Sequence, residues 1–307
     1  MAFGAFGAGA DTAKPAAAIV QRKSPVALIL LLPGVLYLIL FFVTPLFSLV
    51  FTSFEQPALG GFIGEYEPAF RWQNYVDVMA AYWPHISRSF LYAVVATLLA
   101  LLIGYPIAYV IGVKLRKYPL WQALALVLVI APFFISFLLR TLAWKQILSD
   151  EGFVVATLKT LQILPADAYL TGTPFSVIFG LTYTFIPFMT LPIYTTLEKL
   201  DLRFVEAGGD LYASPFTVFR TITFPLSIPG VLSGTLLTFI PAAGDYINAS
   251  RDFLGSTDTQ MMGNVIEANF LALQNFPQAS ALSLILMASI LILVSAYVKR
   301  SGTEDLL

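Results

Sequence analysis

The sequence predicts an all-α, polytopic membrane protein with six transmembrane helices, and three observations carry that prediction. Of its 307 residues, 58% are hydrophobic. Only 11% are charged, against about a quarter in a soluble domain. Six apolar runs approach the roughly 20 residues needed to cross a bilayer. Surface scaling leaves too much of so apolar a chain facing outward for one water-soluble core, so lipid is its solvent.

Residues 1–25 are Ala/Gly-rich with scattered charge and lack the basic start and short apolar run of a cleaved signal. They read as a flexible cytoplasmic tail, with Arg22 and Lys23 flanking the first span, within the membrane region 26–300. The runs lie at about 26–52, 90–113, 119–141, 174–197, 226–246 and 279–298. Only Lys114 to Tyr118 separate the second and third, which predicts a tight helical hairpin. Long connections fall at 53–89, 142–173 and 247–278, a shorter one at 198–225, and 301–307 forms a C-terminal cytoplasmic tail. Trp121, Trp144, Tyr92 and Tyr169 fit interfacial belts, and His85 reads as a solvated loop residue.

Charge orients the spans. Lys14, Arg22, Lys23, Lys114, Arg116, Lys117, Lys199, Arg203, Arg220, Lys299 and Arg300 share one side, eleven of the 17 Lys and Arg. The positive-inside rule puts that side, with both termini, in the cytoplasm. Acids run the other way, leaving the outer face net negative and attractive to cations. Arg140, at the outer end of the third run, reads as snorkelling to the interface.

Several chemistries are excluded. The chain has no cysteine, hence neither disulfides nor thiolates, and its one histidine, His85, rules out a His-rich metal site. It contains no G-x-x-x-x-G-K-[ST] loop, H-E-x-x-H or G-x-S-x-G. We therefore expect no catalytic residues, no bound cofactor or metal and no nucleic-acid partner. Internal repeats and paired acids within the spans, which an ion-coupled secondary transporter would need, are missing too.

Two segments carry functional signals. In Glu206 to Gly230, Glu206 and Asp210 share a helix face at i,i+4. Ser214-Pro215 is a cap and first-turn pair. The spacing predicts a second short helix from Pro215 to about Ile222, ended by Pro225, so that two short helices form a knob. At the end of the fifth run, Asp245 follows an apolar stretch broken by Pro229, Gly230, Gly234, Pro241 and Gly244. Broken helices beside a carboxylate are how transporters expose backbone to a cavity. Asp245, flanked by Tyr246 and Phe239, either holds an ammonium group through charge and ring face or caps a helix at the outer water boundary. Tyr183 either lines the path or packs between helices.

The knob resembles the cytoplasmic signature of type I (MetI-like) ABC importer permeases: Glu-Ala-Ala, three residues, Gly, nine residues, Ile, one residue, Leu-Pro. Glu206, Ala207, Gly208, Asp210, Leu211, Ala213, Ser214, Pro215, Phe219, Ile222 and Pro225 stand in the matching stretch. Gly208 replaces the second alanine, Tyr212 the glycine and Phe224 the leucine. The resemblance implies a coupling helix that docks in a cleft of a separate ATPase subunit.

From residue 25 onward the chain resembles the permeases for spermidine and putrescine, in a group that also moves ferric iron and opines and shares its architecture with sugar permeases. Arg140-Thr141-Leu142-Ala143-Trp144, Leu191-Pro192-Ile193-Tyr194, Glu198-Lys199-Leu200-Asp201, Phe239 to Tyr246 and Gly255 to Ile266 carry this likeness. It implies a non-catalytic subunit of the bacterial inner membrane. Its partners would be nucleotide-binding subunits that use ATP and Mg, a second homologous permease, and a periplasmic or lipid-anchored solute-binding protein. The cargo would be a small cationic solute.

Overall fold

The computed structural model describes residues 25–300; the predicted tails, to residue 24 and from 301, lie outside the described residues. The chain divides into two units, one ending at Ser48 and one beginning at Leu49. The first contains α1 (Pro25–Leu38), a π turn at Ile39–Val43 and the start of α2 (Thr44–Thr52). Thr44 Oγ1 donates to the Ile39 carbonyl at 3.0 Å, tying off that wider turn.

In the second unit a short antiparallel hairpin, β1 (Gln56–Pro57) with β2 (Tyr66–Glu67), precedes α3 (Gln73–Tyr109). Asn74 Nδ2 clamps its root by donating to the Ser53 and Glu55 carbonyls at 2.9 Å. α3 starts far ahead of the apolar run, so much of the predicted 53–89 loop is helix and His85 stands on it, against the Tyr82 ring. A π turn (Val110–Lys114) and a 3-10 turn (Leu115–Lys117) lead into α4 (Pro119–Ile130).

The predicted third span is broken. α4 runs on to Phe134 as a 3-10 turn containing Pro132, and Ile135 and Ser136 are extended. The chain then turns 96° into α5 (Phe137–Leu148). Proline cannot donate to the ladder, and the extended pair completes the break. α6 (Phe153–Thr160) follows, and then α7 (Pro174–Glu198). Thr173 and Ser176 form a capping box at the start of α7, with Pro174 at its first position. Next come α8 (Leu202–Asp210), α9 (Pro215–Val218), a π turn (Phe219–Thr223) and α10 (Phe224–Ala243). α11 (Met262–Glu267), a π turn (Ala268–Ala272) and α12 (Phe276–Arg300) complete the described chain.

Among the described residues five helical stretches are long and apolar enough to cross a membrane: Ile29–Thr52, Gln73–Lys117, Pro174–Glu198, Pro215–Ala243 and Phe276–Lys299. The bent pair from Pro119 to Thr160 supplies the sixth if it counts as one span.

α3, α7 and α10 form the packed centre, with α12 beside α3. Small residues on α3 (Ala93, Ala96, Ala100, Gly104 and Ala108) are all buried and recur at helical spacing, which lets backbones approach closely in lipid. Gly104 and Gly234 grip α7 from two sides: a Cβ on either would lie 2.9 Å from Thr190 Oγ1 or from the Met189 carbonyl. Tyr92, expected in an interfacial belt, is instead buried in this core with Leu181 and Phe185.

Candidate functional site

The knob is built from local capping. Asp201 Oδ1 accepts from Arg203 N at 3.0 Å and starts α8. Its end is a Schellman motif: Ala213 N donates to the Gly208 carbonyl at 3.2 Å and Tyr212 N to the Gly209 carbonyl at 2.9 Å. That motif needs a left-handed residue, and Tyr212 supplies it with φ +58°. The turn that a glycine would ordinarily make therefore survives its replacement, at a cost of about 1 kcal/mol or more. The Tyr212 side chain is 99% exposed.

Ser214 Oγ then accepts from Thr217 N at 3.2 Å and Pro215 opens α9. The two helices close on Gly208, where a Cβ would meet Val218 Cγ2 at 3.0 Å and Ile222 Cδ1 at 3.1 Å. This contact explains why glycine stands where the signature has alanine. Glu206, Ala207, Asp210, Leu211, Ser214 and Pro215 all face outward, and Ala213 is half-buried.

The predicted stop at Pro225 does not occur. Pro215–Ala243 is one continuous helical stretch, with its wide turn at Phe219–Thr223 closed by Phe224 N on the Phe219 carbonyl. A π turn skips a ladder bond and moves the preceding carbonyls outward, so the Pro225 ring is accommodated where a regular α-helix would clash with it.

At the other end of α10 the helix stops at Ala243, short of the predicted 246. Asp245 lies in the turn beyond it, 8% exposed. Its carboxylate accepts from Asn248 N at 2.8 Å, Asn248 Nδ2 at 3.0 Å and Ala249 N at 3.4 Å. Burial pushes the Asp245 carboxyl up to about 6, against the pull of those N–H donors.

Neighbouring elements hold this segment from several sides. Asn264 Nδ2 donates to the Tyr246 carbonyl, Ser89 Oγ accepts from Met262 N at 2.7 Å, and Arg88 donates to the Gln260 carbonyl at 2.8 Å. Lys145 Nζ reaches the Asp252 carbonyl at 2.7 Å, and Ser176 Oγ reaches that of Leu254 at 2.7 Å.

The four sequence-predicted path residues do not meet around one cavity. Tyr183 packs edge-on to Trp144 at 5.2 Å and lines an apolar cavity of about 560 Å³ with Pro106 and Pro187. Phe239 faces Phe90 at 6.4 Å and lines a second, of about 350 Å³. Tyr246, half-exposed, lines a third of about 350 Å³ with Glu267 and Phe270. Asp245 is buried and engaged with its own turn. Sequence reasoning missed Asn248, Asn264 and Ser89, because lone polar residues in loops and helices carry no periodic signal. Among the described residues no group of His, Cys, Asp and Glu could hold a metal ion.

No family model matches the chain. It is 37% identical over 207 residues to the spermidine/putrescine transport system permease protein PotB of Haemophilus influenzae, covering 67% of this chain and 71% of that one. The PotB protein of Escherichia coli is 32% identical over 266 residues, 86% of this chain and 94% of that one. The chain belongs to the PotB permease family. PotB-family chains are membrane subunits of ABC importers, so this one is a multi-pass membrane protein and a non-catalytic permease.

The Escherichia coli inner membrane ABC transporter permease protein YdcU is 29% identical over 235 residues, 72% of each chain. The PotB-family fold recurs in a solved bacterial ABC transporter for alginate import, with TM-score 0.67 at 16% identity over 91% of this chain and 96% of that one. It recurs again in the alginate transporter complexed with its pentasaccharide-bound periplasmic protein, with TM-score 0.65 at 14% identity over 91% and 94%.

Proposed function

We propose that this permease carries a small organic polycation, spermidine or putrescine, into a bacterial cell across the inner membrane. Both termini face the cytoplasm. The chain pairs with a second, homologous permease and receives cargo from a periplasmic or lipid-anchored binding protein. It binds no cofactor of its own; ATP and Mg are used by partner ATPase subunits.

The observation that carries the energy-coupling part of this reading is the knob of α8 and α9. It is short, capped at both helix starts, locked by the Schellman turn and outward-facing on its Glu206, Asp210, Leu211 and Tyr212 side. A rigid projection with an unburied acidic and apolar face suits docking into a partner's cleft, with Glu206 meeting a basic residue there. The cargo assignment is supported by the spermidine/putrescine transport named for the relatives and by the acidic outer loops. The solute path is assigned to the far end of α10, where the half-exposed Tyr246 offers a ring face to an ammonium group and Asp245 shapes the turn, with Phe239 and Tyr183 lining separate cavities further along.

The test uses the reconstituted transporter. Glu206→Lys should lower polyamine uptake at least roughly tenfold, since reversing a buried interfacial charge costs several kcal/mol, while the external protein still binds its solute. Undiminished uptake would remove the coupling assignment.

A further inference from the structure

One segment touches both roots of the knob. The turn that joins α3 to α4 places Arg116 so that its guanidinium donates to the Leu200 carbonyl at 2.8 Å, across 84 residues of chain. Leu200 is buried and follows the end of α7, where helical carbonyls lack partners. A cation there meets a buried carbonyl just beyond the negative end of the helix. Just above, Tyr194 OH donates to Glu198 Oε1 at 2.6 Å, stiffening the same last turn.

The π turn Val110–Lys114 fits tightly against it, since a Cβ on Gly112 would stand 3.1 Å from Leu197 Cβ. The knob's exit root meets the same piece of α3. Tyr105 OH pairs with Ser227 Oγ at 2.8 Å, and the Tyr105 and Tyr109 rings lie edge-on to Phe219 at 5.7 and 5.9 Å.

We infer that residues 105–117, the last turn of α3 and the π and 3-10 turns after it, form a brace that grips the knob at both roots, with Arg116 the positioning residue that fixes the entry root. Push on α8 and α9 then moves α3 together with α7 and α10, instead of flexing the 199–202 joint. The inference rests on reading the knob as the docking element for the ATPase.

The test uses the whole transporter in proteoliposomes, with solute uptake and ATP hydrolysis measured together. Arg116→Ala should leave hydrolysis within about twofold and lower uptake per ATP roughly tenfold, the size of one lost charge-assisted bond. Arg116→Lys should restore most of that ratio, because an ammonium reaches the same carbonyl. Arg116→Cys with Lys199→Cys, in a chain that has no other cysteine, should regain coupling when a short bifunctional thiol reagent bridges the pair. Unchanged uptake per ATP in Arg116→Ala, equal losses in the Ala and Lys variants, or no gain on bridging would each overturn the brace. If Glu206→Lys uncouples while Arg116→Ala does not, the knob reading stands and the brace alone falls.

Discussion

At its Phe224 end α10 grows out of a knob whose polar and aromatic side chains face outward; at its Ala243 end it runs into a turn whose polar groups point in. Around Tyr212, backbone bonds do the holding, and the side chains of Glu206, Asp210, Leu211 and Tyr212 are left over. Around Asp245, side chains do the holding: Asn248, Asn264, Ser89 and Arg88 each take up a backbone or carboxyl group of the 244–262 segment or one beside it. A segment held by its backbone frees its side chains for a partner. One held by its side chains has a shape that tolerates little change.

That contrast is broken most severely at Gly255. A Cβ there would overlap the Ala249 backbone, so Gly255→Val should destabilise the protein by more than about 4 kcal/mol, read as loss of folded protein in thermal unfolding in detergent. A well-folded variant would mean that the turn yields after all.

The next effect sharpens the role of Asp245. Asp245→Ala strands three donors and should cost about 3 kcal/mol. Asp245→Asn keeps an acceptor and should cost less. The native carboxyl value, about 6, lies above the ordinary 3.8. The group's contribution to stability is therefore complete below about pH 4 and lost as pH rises through 6. Asp245→Asn should flatten that slope in unfolding curves taken between pH 4 and 7. If Asn instead abolishes uptake with the slope unchanged, the carboxylate serves the solute and not the turn.

The smallest effect belongs to the knob. Tyr212→Gly should raise stability by about 1 kcal/mol by relieving the left-handed backbone, a gain visible as a higher unfolding midpoint. A loss would show that the exposed ring packs on something.

Much of this architecture was legible in the chain because lipid demands long apolar runs and the spans had to declare themselves. Ser214-Pro215 announced its helix start by residue type. Other features had no local voice. The 96° bend at Ile135–Ser136 sits between two apolar stretches, so hydropathy read one span to 141. Pro225 looked like a stop because the π turn at Phe219–Thr223 just ahead of it cannot be seen in composition. Tyr212 as a residue type argued against a positive φ, and only the glycine it replaces in the signature pointed to one. Asp245 offered two meanings with equal residues in support, and the three donors that meet its carboxylate could not be read from spacing. The Arg116 contact joins positions 84 residues apart, beyond the reach of any spacing argument.

The wide turn at Phe219–Thr223 holds one residue more than an α-helix would use there. One residue corresponds to about 100° of helical phase and 1.5 Å of rise. The compass bearing of the knob relative to the span behind it is thus set by a single inserted position. Two permeases with the same knob and the same span, differing by that one residue, would present their contact faces to different neighbours.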